Sequence, residues 1–111
     1  MSKGVKSLGE QVRSLREEAK LSLREVGDKI GIDTSLLGKI ERNERQPTRQ
    51  QIKEIAAFYK LDRKDLIKEF LSDQIAYKII EEGVDLDTLK VAEKKIRYLK
   101  AKQRLITEKN Y

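Results

Sequence analysis

Apolar residues recur at spacings of three and four along nearly the whole chain, and no stretch alternates with the period of two that a half-buried strand requires. That regularity makes an all-α chain the expectation. Val5, Leu8, Val12, Leu15 and Ala19 mark one face of a first helix, with Ser7 placed to cap its start and Glu10 at the capping-box distance. After a break at Lys20-Leu21, Ser22 and Glu25 repeat the capping pattern. Val26 and Ile30 give the second helix a buried face, and Gly31 stops it as a residue just past a helix end does. Gly31-Ile32-Asp33 reads as a tight turn. A third helix is predicted from about Thr34 to Arg42, with Leu37 and Ile40 inward and Asn43, a residue that tolerates the left-handed region, after it. Beyond Pro47, Thr48 caps a fourth helix with Ile52, Ile55, Ala56 and Tyr59 facing in. Asp62 opens a fifth, with Leu66, Phe70, Ile75 and Ile79 towards a core and Gly83 at its end; a sixth runs from about Asp85 to Leu105.

Composition removes whole classes of chemistry. The 111 residues suit one small domain and contain neither Cys nor His. A disulfide-stapled scaffold, a Cys/His zinc site, a Ser-His-Asp triad and a Cys-His nucleophile are therefore all excluded. There is no Gly-rich phosphate loop and no obvious carboxylate pair, so the expectation is a protein that is not an enzyme and needs no cofactor or metal. No apolar run approaches the roughly 18 residues of a membrane span. The segment MSKGVKSLGEQ is too polar for a signal peptide, so a soluble cytoplasmic protein with no membrane partner is expected.

The formal net charge is +6, from 25 Lys and Arg against 19 Asp and Glu. Residues 1–60 hold 13 basic and 9 acidic side chains, residues 61–89 hold 4 and 8, and residues 90–111 hold 8 and 2. The basic balance points towards a polyanionic partner, although a solvated helix face is the ordinary account of each block.

Two short helices joined by a tight Gly-containing turn, set among other helices, form the arrangement whose second helix enters the DNA major groove. A plain helical bundle contains such pairs too, and the residues discriminate. Ser22 to Thr48 reads SLREVGDKIGIDTSLLGKIERNERQPT. With Leu15-Arg16 before it, Gly31-Ile32 at the turn, Leu37 to Arg42, and Arg45-x-Pro47-Thr48, it resembles the Cro/C1-type (Xre-family) helix-turn-helix domain over roughly residues 8–61. The resemblance implies an all-α, lambda-repressor-like helix-turn-helix bundle followed by two C-terminal helices. It divides the chain into a DNA-binding domain at 7–61 and a helical dimerisation region at 62–111.

The resemblance also implies roles for particular residues. Thr34, Ser35, Leu36 and Lys39 are the candidate base contacts: Lys can donate to guanine, Ser and Thr can donate or accept, and Leu can touch a thymine methyl. Asp33 is either the cap of this helix or an acceptor for cytosine. Arg24, Arg42, Arg45, Thr48 and Arg49 are the candidate phosphate contacts. Glu41 is expected to hold the fold together with Arg13 or Arg16. Three positions depart from the family pattern: Leu23 stands where Gln is common, Gly27 where Ala is usual at a close crossing, and Gly38 where Ser is usual.

One recognition helix covers only a few base pairs, so the partners expected are double-stranded DNA and a second copy of the chain. Leu89, Ala92, Ile96, Leu99, Gln103 and Ile106 follow the 3-4-3-4-3 spacing of a heptad seam, and the fifth helix is apolar on more than one side. Phe70, Ile75, Ile79, Leu89, Ile96 and Leu99 are the candidate dimerisation residues. The seam lies either between chains or against the fifth helix of its own chain. The functional expectation is a sequence-specific transcriptional regulator acting as a homodimer on an inverted repeat, similar to restriction-modification controllers or phage-type repressors. An antitoxin-like module that binds a protein as well as DNA is the alternative.

Overall fold

The structure, a computed structural model, describes residues 5–109, with side chains described to residue 105. Among the described residues there are six helices and no strand: α1 Leu8–Glu18, α2 Leu23–Ile30, α3 Thr34–Glu41, α4 Arg49–Phe58, α5 Arg63–Glu82 and α6 Asp87–Lys109. The chain separates into two compact units, the first ending at Ile75 and the second beginning at Ala76, so the boundary falls inside α5.

Local chemistry accounts for most of the helix starts. Ser7, Ser22 and Thr48 each accept from the backbone N–H three residues on, and Glu10, Glu25 and Gln51 reach back to the cap N–H, making three complete capping boxes. Asp33 caps α3 by accepting from the Ser35 and Leu36 N–H groups at 3.1 and 3.3 Å, which selects its capping reading. Val5, expected on the first helix face, precedes α1 and is fully exposed. The sixth helix begins two residues later than expected and runs four residues further.

The helix ends share one device. Lys20, Asn43 and Lys60 all take positive φ, at 58°, 62° and 56°. Each lets the next N–H return to a carbonyl in the last turn: Leu21 to Arg16, Glu44 to Lys39 and Leu61 to Ala56, at 3.1, 2.8 and 2.8 Å. These are Schellman closures, which satisfy carbonyls that a helix end leaves unpaired. Gly31 takes φ 72° at the end of α2, where a side chain would be strained.

The core of the first unit is built from Leu8, Val12, Val26, Ile32, Leu37, Ile52 and Ile55, all nearly inaccessible to water. Leu66 and Phe70 join it at 4% and 8% exposure, so the bundle expected to end near Leu61 takes in the first part of α5 as well. Phe70, read as a dimerisation residue, spends its side chain in this core. The acidic stretch after Leu61 also ties into α1. Asp73 accepts from the Leu8 N–H at 2.9 Å and Glu69 accepts from Gln11 Nε2 at 2.9 Å. In the second unit the described apolar side chains of α6 are exposed apart from half-buried Ala92; Ile96 and Leu99 stand 52% and 54% open. Ile106 lies outside the residues whose side chains are described.

A candidate nucleic-acid interface on the helix-turn-helix

The outward side of α3 is where the sequence places base recognition. Its inward residues Leu37 and Ile40 are fully buried, which fixes the helix's rotation and turns Thr34, Ser35 and Lys39 outward, all exposed. Leu36 is half-buried and packs on the core, so only part of it reaches the surface. Arg24 on α2, Arg45 in the loop after α3 and Arg49 at the start of α4 are exposed. Arg42 caps the end of α3, and its Nε donates to Glu44. Thr48 Oγ1 accepts from the Gln51 N–H at 3.1 Å, so its acceptor role is taken by the α4 cap.

Two contacts hold α3 against its neighbours. Arg16 on α1 donates to Glu41 through both Nε and Nη2, at 2.8 and 3.0 Å, and through Nη1 to the Leu21 carbonyl at 2.9 Å. One guanidinium thus links α1, the segment before α2, and α3. It resolves the choice between Arg13 and Arg16, since Arg13 pairs with Glu17 on the exposed side of α1. The carboxylate beside it raises the Arg16 pKa above its ordinary value. Tyr59 adjoins this pair; burial, and then the Glu41 charge, push its hydroxyl pKa upward, and its oxygen is buried without a hydrogen-bond partner among the described residues.

The second contact is a close crossing that sequence reasoning missed. A β-carbon on Gly9 would lie 2.4 Å from the Ile40 carbonyl oxygen, so α1 and α3 touch backbone to backbone there. A glycine in the first turn of an otherwise regular helix, just after its cap, was the available signal. Gly27 is similar: a β-carbon would meet the Ile32 carbonyl oxygen at 2.6 Å, tighter than the small crossing expected from the sequence. Asp73, whose partner is 65 residues away, left no local signal at all.

Six helices, with the α2–turn–α3 pair locked by Arg16 and Gly9 and its polar side presented outward, define a helix-turn-helix protein. A helix-turn-helix domain family matches residues 7–68, more than half of the chain, and the chain belongs to that family. No curated protein matches. Among solved structures, the crystal structure of SinR, the master regulator for biofilm formation, in complex with DNA is 30% identical. The match covers 54% of this chain and 97% of that one, with a TM-score of 0.50. A chain of the SinR protein/SinI protein complex is similar over 85% of this chain and 98% of that one, with a TM-score of 0.51. Its identity is 22%, and it speaks to the fold alone. These findings agree with the Cro/C1-type resemblance carried by Ser22 to Thr48. No helix among the described residues is long and apolar enough to cross a membrane.

Proposed function

We propose that this chain is a sequence-specific DNA-binding transcription regulator that acts as a homodimer on an inverted repeat. One observation carries the DNA reading: α3 buries Leu37, Ile40 and Glu41 while it presents Thr34, Ser35 and Lys39 to solvent, a polar reading edge on a fixed frame. Arg24, Arg42, Arg45 and Arg49 supply phosphate anchors on that frame, and the similar SinR chain was solved bound to DNA. Support for the dimer comes from the second unit, whose α6 leaves Leu89, Ile96 and Leu99 on an uncovered apolar stripe. On α5, Ile75 is exposed and Ile79 half-buried.

A binding titration against duplex DNA at several salt concentrations tests the reading. With about six phosphate contacts per dimer, log K falls with log salt at a slope of about −5. Ser35→Ala or Lys39→Ala costs about 1–3 kcal/mol on the preferred site and little on random duplex, whereas Arg49→Ala weakens both alike. A flat salt response overturns the anchoring. An identical response to all three substitutions overturns the assigned reading edge. The antitoxin-like alternative is favoured if a second protein, rather than a second copy, purifies on the α6 stripe.

A further inference from the structure

Position 38 is a buried glycine in the middle of the recognition helix, and the geometry around it points to a purpose. A β-carbon there would sit 3.1 Å from Arg42 Nη1 and 3.6 Å from Leu23 Cδ1. The Arg42 guanidinium therefore folds back over Gly38, one turn before it in α3, and Leu23, the first residue of α2, borders the same glycine. Its direction is set from the other side. Asn43 at φ 62° and the Glu44 N–H bond to the Lys39 carbonyl close the end of α3, which places the Glu44 carboxylate on Arg42 Nε. The Nη groups are left to donate elsewhere.

We infer that Gly38 and Glu44 are positioning residues that lay Arg42 over the part of α3 bordered by the start of α2, making it the phosphate anchor there. The chemistry is coherent. Leu23 offers no hydrogen-bond donor and Gly38 has no side chain, so neither of these residues can itself donate to a phosphate through its side chain. A guanidinium held at Nε presents its remaining N–H groups in a fixed fork, the geometry that suits a phosphate. The inference rests on the DNA-binding reading above and assigns a mechanism within it.

The test measures binding of the full chain to a random-sequence duplex of about 30 base pairs at several salt concentrations, alongside thermal melts. Arg42→Ala is expected to weaken binding roughly tenfold and to flatten the salt slope by about one for each bound subunit. Arg42→Lys keeps the slope, because the charge remains, and gives up part of the affinity, because an ammonium lacks the fork. Gly38→Ala is the discriminating variant. It raises the melting temperature, since Ala is the better helix former, yet pushes the guanidinium aside and weakens binding roughly threefold. In the Arg42→Ala background the same change leaves binding within about twofold. The inference is overturned if Arg42→Ala leaves affinity and slope unchanged while Arg49→Ala reduces both. It is also overturned if Gly38→Ala weakens binding equally with and without Arg42. A native chain with no salt-dependent affinity for duplex DNA would instead defeat the DNA reading itself, and this mechanism with it.

Discussion

Replacing Glu41 by Ala tests the idea that one ion pair sets the geometry of the reading helix. The pair is two-pronged, at 2.8 and 3.0 Å, and its side chains are 15% and 4% exposed. Removing the carboxylate leaves the Arg16 charge facing a buried space, with only the Leu21 carbonyl still bonded to it. Losing one partner of a buried pair costs about 3–5 kcal/mol. Arg16 retains some access to water, so the lower end, about 3 kcal/mol, is expected. For a domain of this size each kcal/mol moves the melting temperature by about 4–8 °C, which gives a fall of about 12–24 °C. Melts followed by circular dichroism at one fixed protein concentration read this directly. Two controls sharpen it. Arg13→Ala, which breaks the exposed pair with Glu17, costs under about 1 kcal/mol. The double change Arg16→Met with Glu41→Leu recovers most of the loss, because well-packed apolar residues replace both charges. A fall of less than about 4 °C for Glu41→Ala, or a double variant no more stable than the single one, refutes the reasoning.

Four further outcomes follow from the same geometry. Gly9→Ala destabilises by about 1–3 kcal/mol despite the better helix propensity, because its β-carbon meets the Ile40 carbonyl; urea unfolding reads the sign. Asp73→Ala costs about 1 kcal/mol, and amide hydrogen exchange should accelerate at Leu8, whose N–H loses its acceptor. The hydrogen bonds from Ser7 and Ser22 hold the Glu10 and Glu25 pKa values below the ordinary glutamate value. The stabilisation these groups add is therefore present above the unfolded-state pKa and fades as pH falls through the lower folded values, which side-chain titration by NMR would show as two depressed midpoints. Leu99→Asp weakens self-association in sedimentation while the melt of the first unit holds, since the substitution places a charge on the exposed stripe of α6.

What the sequence made legible was short in range. Ser7, Ser22 and Thr48 act on backbone groups three residues away, so spacing alone revealed them, whereas Asp33 stayed open between a cap and a base contact until its bonds to the Ser35 and Leu36 N–H groups were seen. The left-handed turns divide instructively. Gly31 and Asn43 announce a positive φ by residue type, but Lys20 and Lys60 do the same work with side chains that give no such notice. There the helix-end hydrogen bonds outweigh the local cost of the conformation. The choice of Arg16 over Arg13 was within reach: Arg16 lies four residues from Val12, a core residue, and so shares its inward face. The contact from Asp73 to Leu8 was out of reach, because it depends on how α5 crosses the start of α1.

The partition of α3 explains how so short a helix can both hold a fold and read a sequence. Of its eight residues, Leu37, Gly38, Ile40 and Glu41 are buried, and the one acidic side chain among them is consumed by Arg16. Inward use of Glu41 has an outward consequence. With its carboxylate turned away and neutralised, the exposed charge of the helix body is Lys39 alone, with Arg42 at its cap. The pair that stabilises the bundle thereby also keeps the Glu41 charge off the surface proposed to meet phosphate. Thr34, Ser35 and Lys39 bear little of the packing, so substitutions there can redirect recognition at small cost to the fold. Changing Glu41 alone leaves the Arg16 charge without its carboxylate and loosens the frame on which that surface is held.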